Sequence, residues 1–196
     1  MTENSTREPE GARPYHHGDL RRTLLRVARE AVARHGAHAV SLSALARLVG
    51  VSQPAPYRHF PDRDALLEAV AAEAFEEFAY TLTEAVKGRD AADALTAMAL
   101  AYVSFGEANI ELYRLMFASQ LTPQAKTGSD LSEASGKAFG LLRAAMAAMS
   151  PTLADESAHL AWAQLHGLVM LKADGFIRAP LQTYVAAWSP IKVDSQ

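Results

Sequence analysis

The chain has 196 residues, 49% of them apolar and 21% charged, which suits one large domain or two small packed ones and excludes wholesale disorder. It has no cysteine, so a disulfide framework, thiolate catalysis, cysteine-held zinc and iron–sulfur clusters are excluded. The net charge of -3 is unevenly spread: residues 11–63 hold nine arginines against Asp19, Glu30 and Asp62, and the acidic residues concentrate beyond them.

Residues 1–13 mix Glu, Ser, Thr, Gly and Pro and read as a disordered tail. They contain no apolar signal segment, and no stretch approaches the ~20 apolar residues of a membrane span. The expectation is a cytoplasmic protein with no membrane partner. Leu20, Leu24, Val27, Ala28 and Ala31 then recur on one helical face, with Asp19 at its start and Gly36 as its stop. Ser41 is an N-cap for a short helix that Gly50 ends, and Val51 plugs the following turn. Ser52 caps a second short helix over 53–59, closed by Phe60-Pro61. A long helix follows from Asp62 or Arg63 to about Val86. Helices are then expected over about 91–107 and 110–119, a loop over 121–137 with a helical start near its end, and helices over 131–149 and 155–174. A last short one starts at Pro180 and breaks at Ser189-Pro190. The predicted fold is all-α with about nine helices. The predicted units are the tail, a short helical unit over 14–61 and a helical body over 62–196.

The two short helices joined by a tight turn form a helix-turn-helix. The second shows Gln53, Tyr57, Arg58 and His59, side chains that bond phosphates or base edges, and a helix of this kind fits the major groove. A basic block on an acidic body points the same end at a polyanion, the plain alternative being a solvated surface.

The run SLSALARLVGVSQPAPYRHFPDRDALL, residues 41–67, resembles the N-terminal domain of the TetR family of transcriptional regulators. The stretch Val51-Ser52, then Tyr57-Arg58-His59-Phe60 and Asp62-Arg63, carries most of the likeness. The opening Tyr15-His16-His17-Gly18-Asp19-Leu20 and the tract from Trp162 through His166-Gly167 are similar to a subgroup with a Trp-His-Gly motif in its C-terminal domain. The resemblance implies a homodimeric repressor, not an enzyme, that binds a palindromic double-stranded operator and releases it when a small effector binds the C-terminal domain. It implies that Ser41 meets a phosphate, that Gln53 and Ala55 face bases, and that Tyr57, His59 and Arg63 meet the DNA backbone, with Ser52, Pro54 and Arg58 in the same contact segment. The family's common Lys-Gly-Thr-Leu is replaced here by Gln53-Pro54-Ala55-Pro56, which removes two polar contacts.

Elsewhere, Met98, Tyr102 and Phe105 form a helical stripe, and Trp162 and His166 share a face. With Phe75, Phe78, Tyr113 and Phe117 they are candidates for an apolar or aromatic ligand site, the competing reading being ordinary core. His35 and His38 flank a glycine turn with no acidic companion, so no metal site is expected. No cofactor is implied. Two other readings remain open: a small all-α carrier or enzyme using the C-terminal pocket, and a constitutive DNA-binding protein without an effector.

Overall fold

The computed structural model describes residues 17–149 and 151–188, with side chains from residue 20 onward. The expected tail, the Tyr15-His16 opening, the side chain of Asp19 and the break at Ser189-Pro190 lie outside that range. Among the described residues there are nine α-helices, three short 3-10 turns and no strand.

The first unit is short. Helix α1 (His17–His35) buries Leu20, Leu24, Val27, Ala28 and Val32 along one stripe. Gly36 ends it at φ +79°, a left-handed conformation that favours glycine. A 3-10 turn (Ala37–Ala39) leads to α2 (Leu42–Leu48). Ser41 is extended and its hydroxyl accepts the Ala44 N–H at 3.1 Å, satisfying a donor that the first turn leaves over.

After α2 the structure departs from the expected helix. Residues 53–55 form a turn and only Pro56–Arg58 is helical, as a 3-10 turn. The prolines are the reason. Pro54 and Pro56 have no N–H, so the α-helical bond from residue 56 to the Ser52 carbonyl cannot form. That carbonyl takes the Ala55 N–H instead, and Arg58 bonds back to Ala55 and His59 to Pro56, each three residues away.

Helix α3 (Arg63–Val86) begins at Asp62, whose carboxylate accepts the Ala65 N–H at 2.8 Å. It is the spine of the molecule. It packs on α1, α4 (Ala91–Ala108), α5 (Ile110–Phe117) and α7 (Asp130–Met149). Between α5 and α7 the expected loop contains a single helical turn, α6 (Leu121–Gln124). The Thr122 hydroxyl donates to the Met116 carbonyl at 2.6 Å and holds this turn against the end of α5. A 3-10 turn (Pro151–Leu153) leads to α8 (Ala154–Ala173), which lies on α4 and α7, and α9 (Leu181–Ala187) closes against α4 and α8. One apolar core runs from Leu24 of α1 to Val185 of α9. Helices α4 and α8 cross closely, so that a Cβ on Gly106 would stand 2.6 Å from the Val169 side chain.

No described helix is long and apolar enough to cross a membrane.

Candidate DNA-reading edge and ligand cavity

The turn after α2 is held onto that helix by Gln53, whose amide donates to the Ser43 carbonyl at 3.3 Å. This brings Ser41, Ser52, Gln53, Pro54, Tyr57 and Arg58 out as exposed residues of the first unit. Tyr57 is half exposed, more than a buried structural tyrosine would be. Ala55 and His59 are half-buried. His59 borders a hollow of about 240 Å³ that Arg21, Glu68 and Asp130 also line. Arg47 and Leu48, exposed on α2, were not picked out by sequence reasoning. Their signal was available: both fall off the apolar stripe of Leu42, Leu45 and Ala46.

Arg63 is placed differently from the rest. Its Nε donates to the Val40 carbonyl at 3.0 Å and one terminal nitrogen donates to the Ala37 carbonyl at 2.7 Å. The other reaches Asp64 at 3.2 Å. The guanidinium therefore clamps the chain between α1 and α2 to the start of α3.

The second feature is a cavity of about 240 Å³ enclosed by α3, α4, α7 and α8, with α5 and α6 at one side. Five of the eight expected ligand residues line it: Phe75, Phe78, Tyr102, Phe117 and Trp162. Leu82, Met98, Ala138, Phe139 and Leu142 complete an apolar wall, and Thr122, Ser135 and Gly136 supply its small and polar part. None of the lining residues is charged. Sequence reasoning missed Thr122, Ser135 and Gly136 because that stretch reads as a loop rich in Ser, Thr, Gly and Pro.

The other three expected residues sit behind the wall. Phe105 packs on Phe78, with ring centroids 4.9 Å apart. Tyr113 is fully buried; its hydroxyl is 2.8 Å from the Tyr102 hydroxyl and 2.8 Å from His166 Nδ1. The His166 ring stacks on Tyr113 at 5.5 Å. Burial pushes the Tyr102 phenol well above its ordinary pKa, against smaller opposing effects of hydrogen bonds with Tyr113 and Trp162. Burial also raises Tyr113, with Tyr102 adding to the effect. It lowers His166, whose neutral ring is favoured. Among the described residues no group of His, Asp and Glu is arranged to hold a metal ion.

The edge and the cavity share two helices. Helix α3 carries Asp62 and Arg63 beside the first unit, and Phe75 and Phe78 in the cavity wall. Helix α5 carries Phe117 in the wall, and near its start Glu111 lies so close to the turn after α1 that a Cβ on Gly36 would stand 2.9 Å from Oε2.

A helix-turn-helix unit joined through shared helices to a helical body with an apolar cavity is the build of a bacterial transcription regulator. Residues 24–70 match the family model described as bacterial regulatory proteins, tetR family, and residues 95–188 match that of the tetracyclin repressor-like C-terminal domain. The two matches take in most of the chain, which belongs to the tetR family of regulators. A solved protein of unknown function from Rhodococcus sp. RHA1 is 35% identical, with a TM-score of 0.77 over 90% of this chain and 94% of its own. A bacterial regulatory protein in the tetR family from Rhodococcus RHA1 is 16% identical, with a TM-score of 0.66 over 85% and 91%. The regulator FadR from Bacillus subtilis, solved in complex with stearoyl-CoA, is 14% identical, with a TM-score of 0.66 over 85% and 94%. At those identities the last two show the shared fold alone. A search of proteins with curated function finds no match.

Proposed function

We propose that the protein is a cytoplasmic, homodimeric repressor that holds a palindromic operator and releases it when a small apolar or aromatic effector enters the cavity. Residues 14–61 form the DNA-binding unit and residues 62–196 the effector and dimerisation body, in the branch of the family marked by Trp162, His166 and Gly167. On this reading Ser41, Ser52, Gln53, Pro54, Ala55, Tyr57, Arg58 and His59 form the contact segment, and Arg63 supports it from beneath. The observation that carries the reading is the sharing of α3 and α5 between the cavity wall and the first unit. A ligand that pushes on Phe75, Phe78 or Phe117 moves helices that pack on α1, and α1 in turn carries the recognition turn. Two such turns in a dimer must keep the groove spacing of DNA, so a small change in their separation lowers affinity. The ligand has to bind the released arrangement better, or nothing shifts.

The test starts with duplexes selected from a random library on the full chain. Operator affinity is then measured by fluorescence anisotropy across a salt series and with a panel of uncharged apolar compounds. The expected result is steep salt dependence and at least one compound that weakens binding by about 5- to 150-fold. Absence of salt-dependent retention would point to the carrier or enzyme reading. Retention that no compound alters would point to a constitutive DNA binder.

A further inference from the structure

The cavity wall is apolar almost throughout, yet one wall residue, Tyr102, is the outer end of a hydrogen-bonded chain that runs through Tyr113 to His166. The chain spans three helices, α4, α5 and α8. A purely apolar ligand has no need of such a chain, and burying two hydroxyls and an imidazole nitrogen is costly unless each is bonded.

The chemistry of the chain has a simple property. A hydroxyl has one hydrogen and two lone pairs. Two hydroxyls ending at one ring nitrogen can therefore be ordered in only two consistent directions. When Nδ1 carries no proton, Tyr113 donates to His166 and Tyr102 donates to Tyr113. The Tyr102 oxygen then keeps its lone pairs free to accept from a ligand. When Nδ1 carries the proton, His166 donates to Tyr113 and Tyr113 donates to Tyr102. The Tyr102 hydrogen is then left over and free to donate to a ligand. Both arrangements use a neutral imidazole and differ only in tautomer. Burial favours the neutral ring.

We infer that the cavity recognises a small uncharged bicyclic-sized molecule through one polar group bonded to the Tyr102 hydroxyl, and that the Tyr102–Tyr113–His166 chain reverses to accept either a donor or an acceptor at that point. This rests on the effector reading of the cavity and says what kind of effector it takes. An ionised ligand is excluded, because no lining side chain carries a compensating charge. The cavity lies below the ~300–1,000 Å³ of ordinary ligand sites, which sets the small size. It also assigns work to Trp162 and His166: the tryptophan is part of the wall, and the histidine stores the direction of the chain.

Three probes of one shape separate the cases. Indole offers only a donor, 1-indanone only an acceptor, and indene neither. Binding to the full-length protein is measured by calorimetry, in the wild type and in Tyr102→Phe. The expected result is that indole and 1-indanone each lose about three- to tenfold in affinity on Tyr102→Phe, and that indene does not. Side-chain ¹⁵N NMR of the wild type should show His166 with Nδ1 unprotonated when indole is bound and protonated when 1-indanone is bound. Because this second readout needs no variant, it stands even if Tyr102→Phe folds poorly. The same tautomer with both probes, or equal losses for all three on Tyr102→Phe, would overturn the inference and leave the effector site in place. Failure of all three to bind would overturn it too, while an effector of another size would still satisfy the broader reading. Binding and tautomers as expected, with operator affinity unchanged, would support the inference and sink the effector reading instead.

Discussion

Arg63 directs its guanidinium at the Ala37 and Val40 carbonyls, whereas Arg58, five residues earlier, is exposed on the recognition turn. The two arginines are thus expected to fail differently. Arg63→Ala removes charge-assisted bonds to two main-chain carbonyls and should cost about 1–3 kcal/mol in urea unfolding. Arg58→Ala should leave unfolding unchanged, weaken binding to every duplex and reduce the slope of log affinity against log salt by about one. A stable Arg63→Ala protein would contradict the clamp. The family resemblance implied a DNA-backbone contact for Arg63 and did not reveal the clamp, because a family position says nothing about which carbonyls lie within reach once the chain is folded. His166 gives a second prediction. Its pKa is lowered by burial, so the folded state favours the neutral ring. That contribution is full above the ordinary histidine pKa of ~6.5 and is lost as the pH falls through the lowered value. Between about pH 7.5 and about pH 5 the wild type should lose more stability than His166→Gln, measured by urea unfolding at each pH. Equal losses would mean that the ring is not held neutral.

At the scale of single helices, caps and stripes were legible. Ser41, Asp62 and Asp90 each accept first-turn N–H groups as their residue types and positions suggest. Leu20, Leu24 and Val27 marked the buried face of α1, because burial against a neighbour repeats with the helical period. Two elements were not legible. The segment 53–59 has capping and apolar signals of a helix, but two missing N–H groups decide for a 3-10 turn. Helix α6 is a single turn, and its stability comes from the Thr122–Met116 bond rather than from any periodicity in four residues. The consequence for the cavity was that its small and polar side, Thr122, Ser135 and Gly136, went unseen. Gly136 on that side has nothing within 4 Å of where a Cβ would stand. A glycine inside a helix costs about 0.5–1 kcal/mol relative to alanine. Gly136→Leu should therefore raise the melting temperature by a few degrees and at the same time occupy the cavity margin and blunt ligand binding. Thermal unfolding together with calorimetry of the bound probe checks both halves. A stabilised variant that binds as tightly as before would show that ligands do not use this side.

At the scale of the molecule, the all-α architecture was readable because each helix carries its own stripe and stops. The cavity was readable only as a list of aromatic residues. Which of them face empty space and which face each other is set by how α4, α5 and α8 cross, and no local pattern encodes that. Tyr113 and Phe117 are four residues apart on α5, yet Phe117 lines the cavity and Tyr113 lies behind the wall. Assembly is a further property at this scale. Leu160, Gln164, Gly167 and Leu171 recur along α8 at spacings of four, three and four; the two leucines and Gln164 are exposed, and Phe176 and Tyr184 add exposed apolar surface nearby in the chain. A Cβ on Gly167 would touch nothing within the protomer. On the proposed dimer this is where a second copy approaches. Gly167→Leu should then leave a folded protein that sediments as a monomer at micromolar concentration and binds operator more weakly. A dimer of unchanged strength would place the interface elsewhere.

The two prolines of the recognition turn have a thermodynamic consequence. Pyrrolidine rings at residues 54 and 56 fix two φ angles before any DNA arrives, and the Gln53–Ser43 bond seats the same turn on α2. A recognition element already ordered in the free protein loses little chain entropy on docking. Its association with an operator should therefore show a small heat-capacity change, without the large negative value that accompanies folding on binding. The same rigidity limits how far the turn can adapt to a mismatched groove, so the protein should reject altered half-site spacings sharply rather than accommodate them.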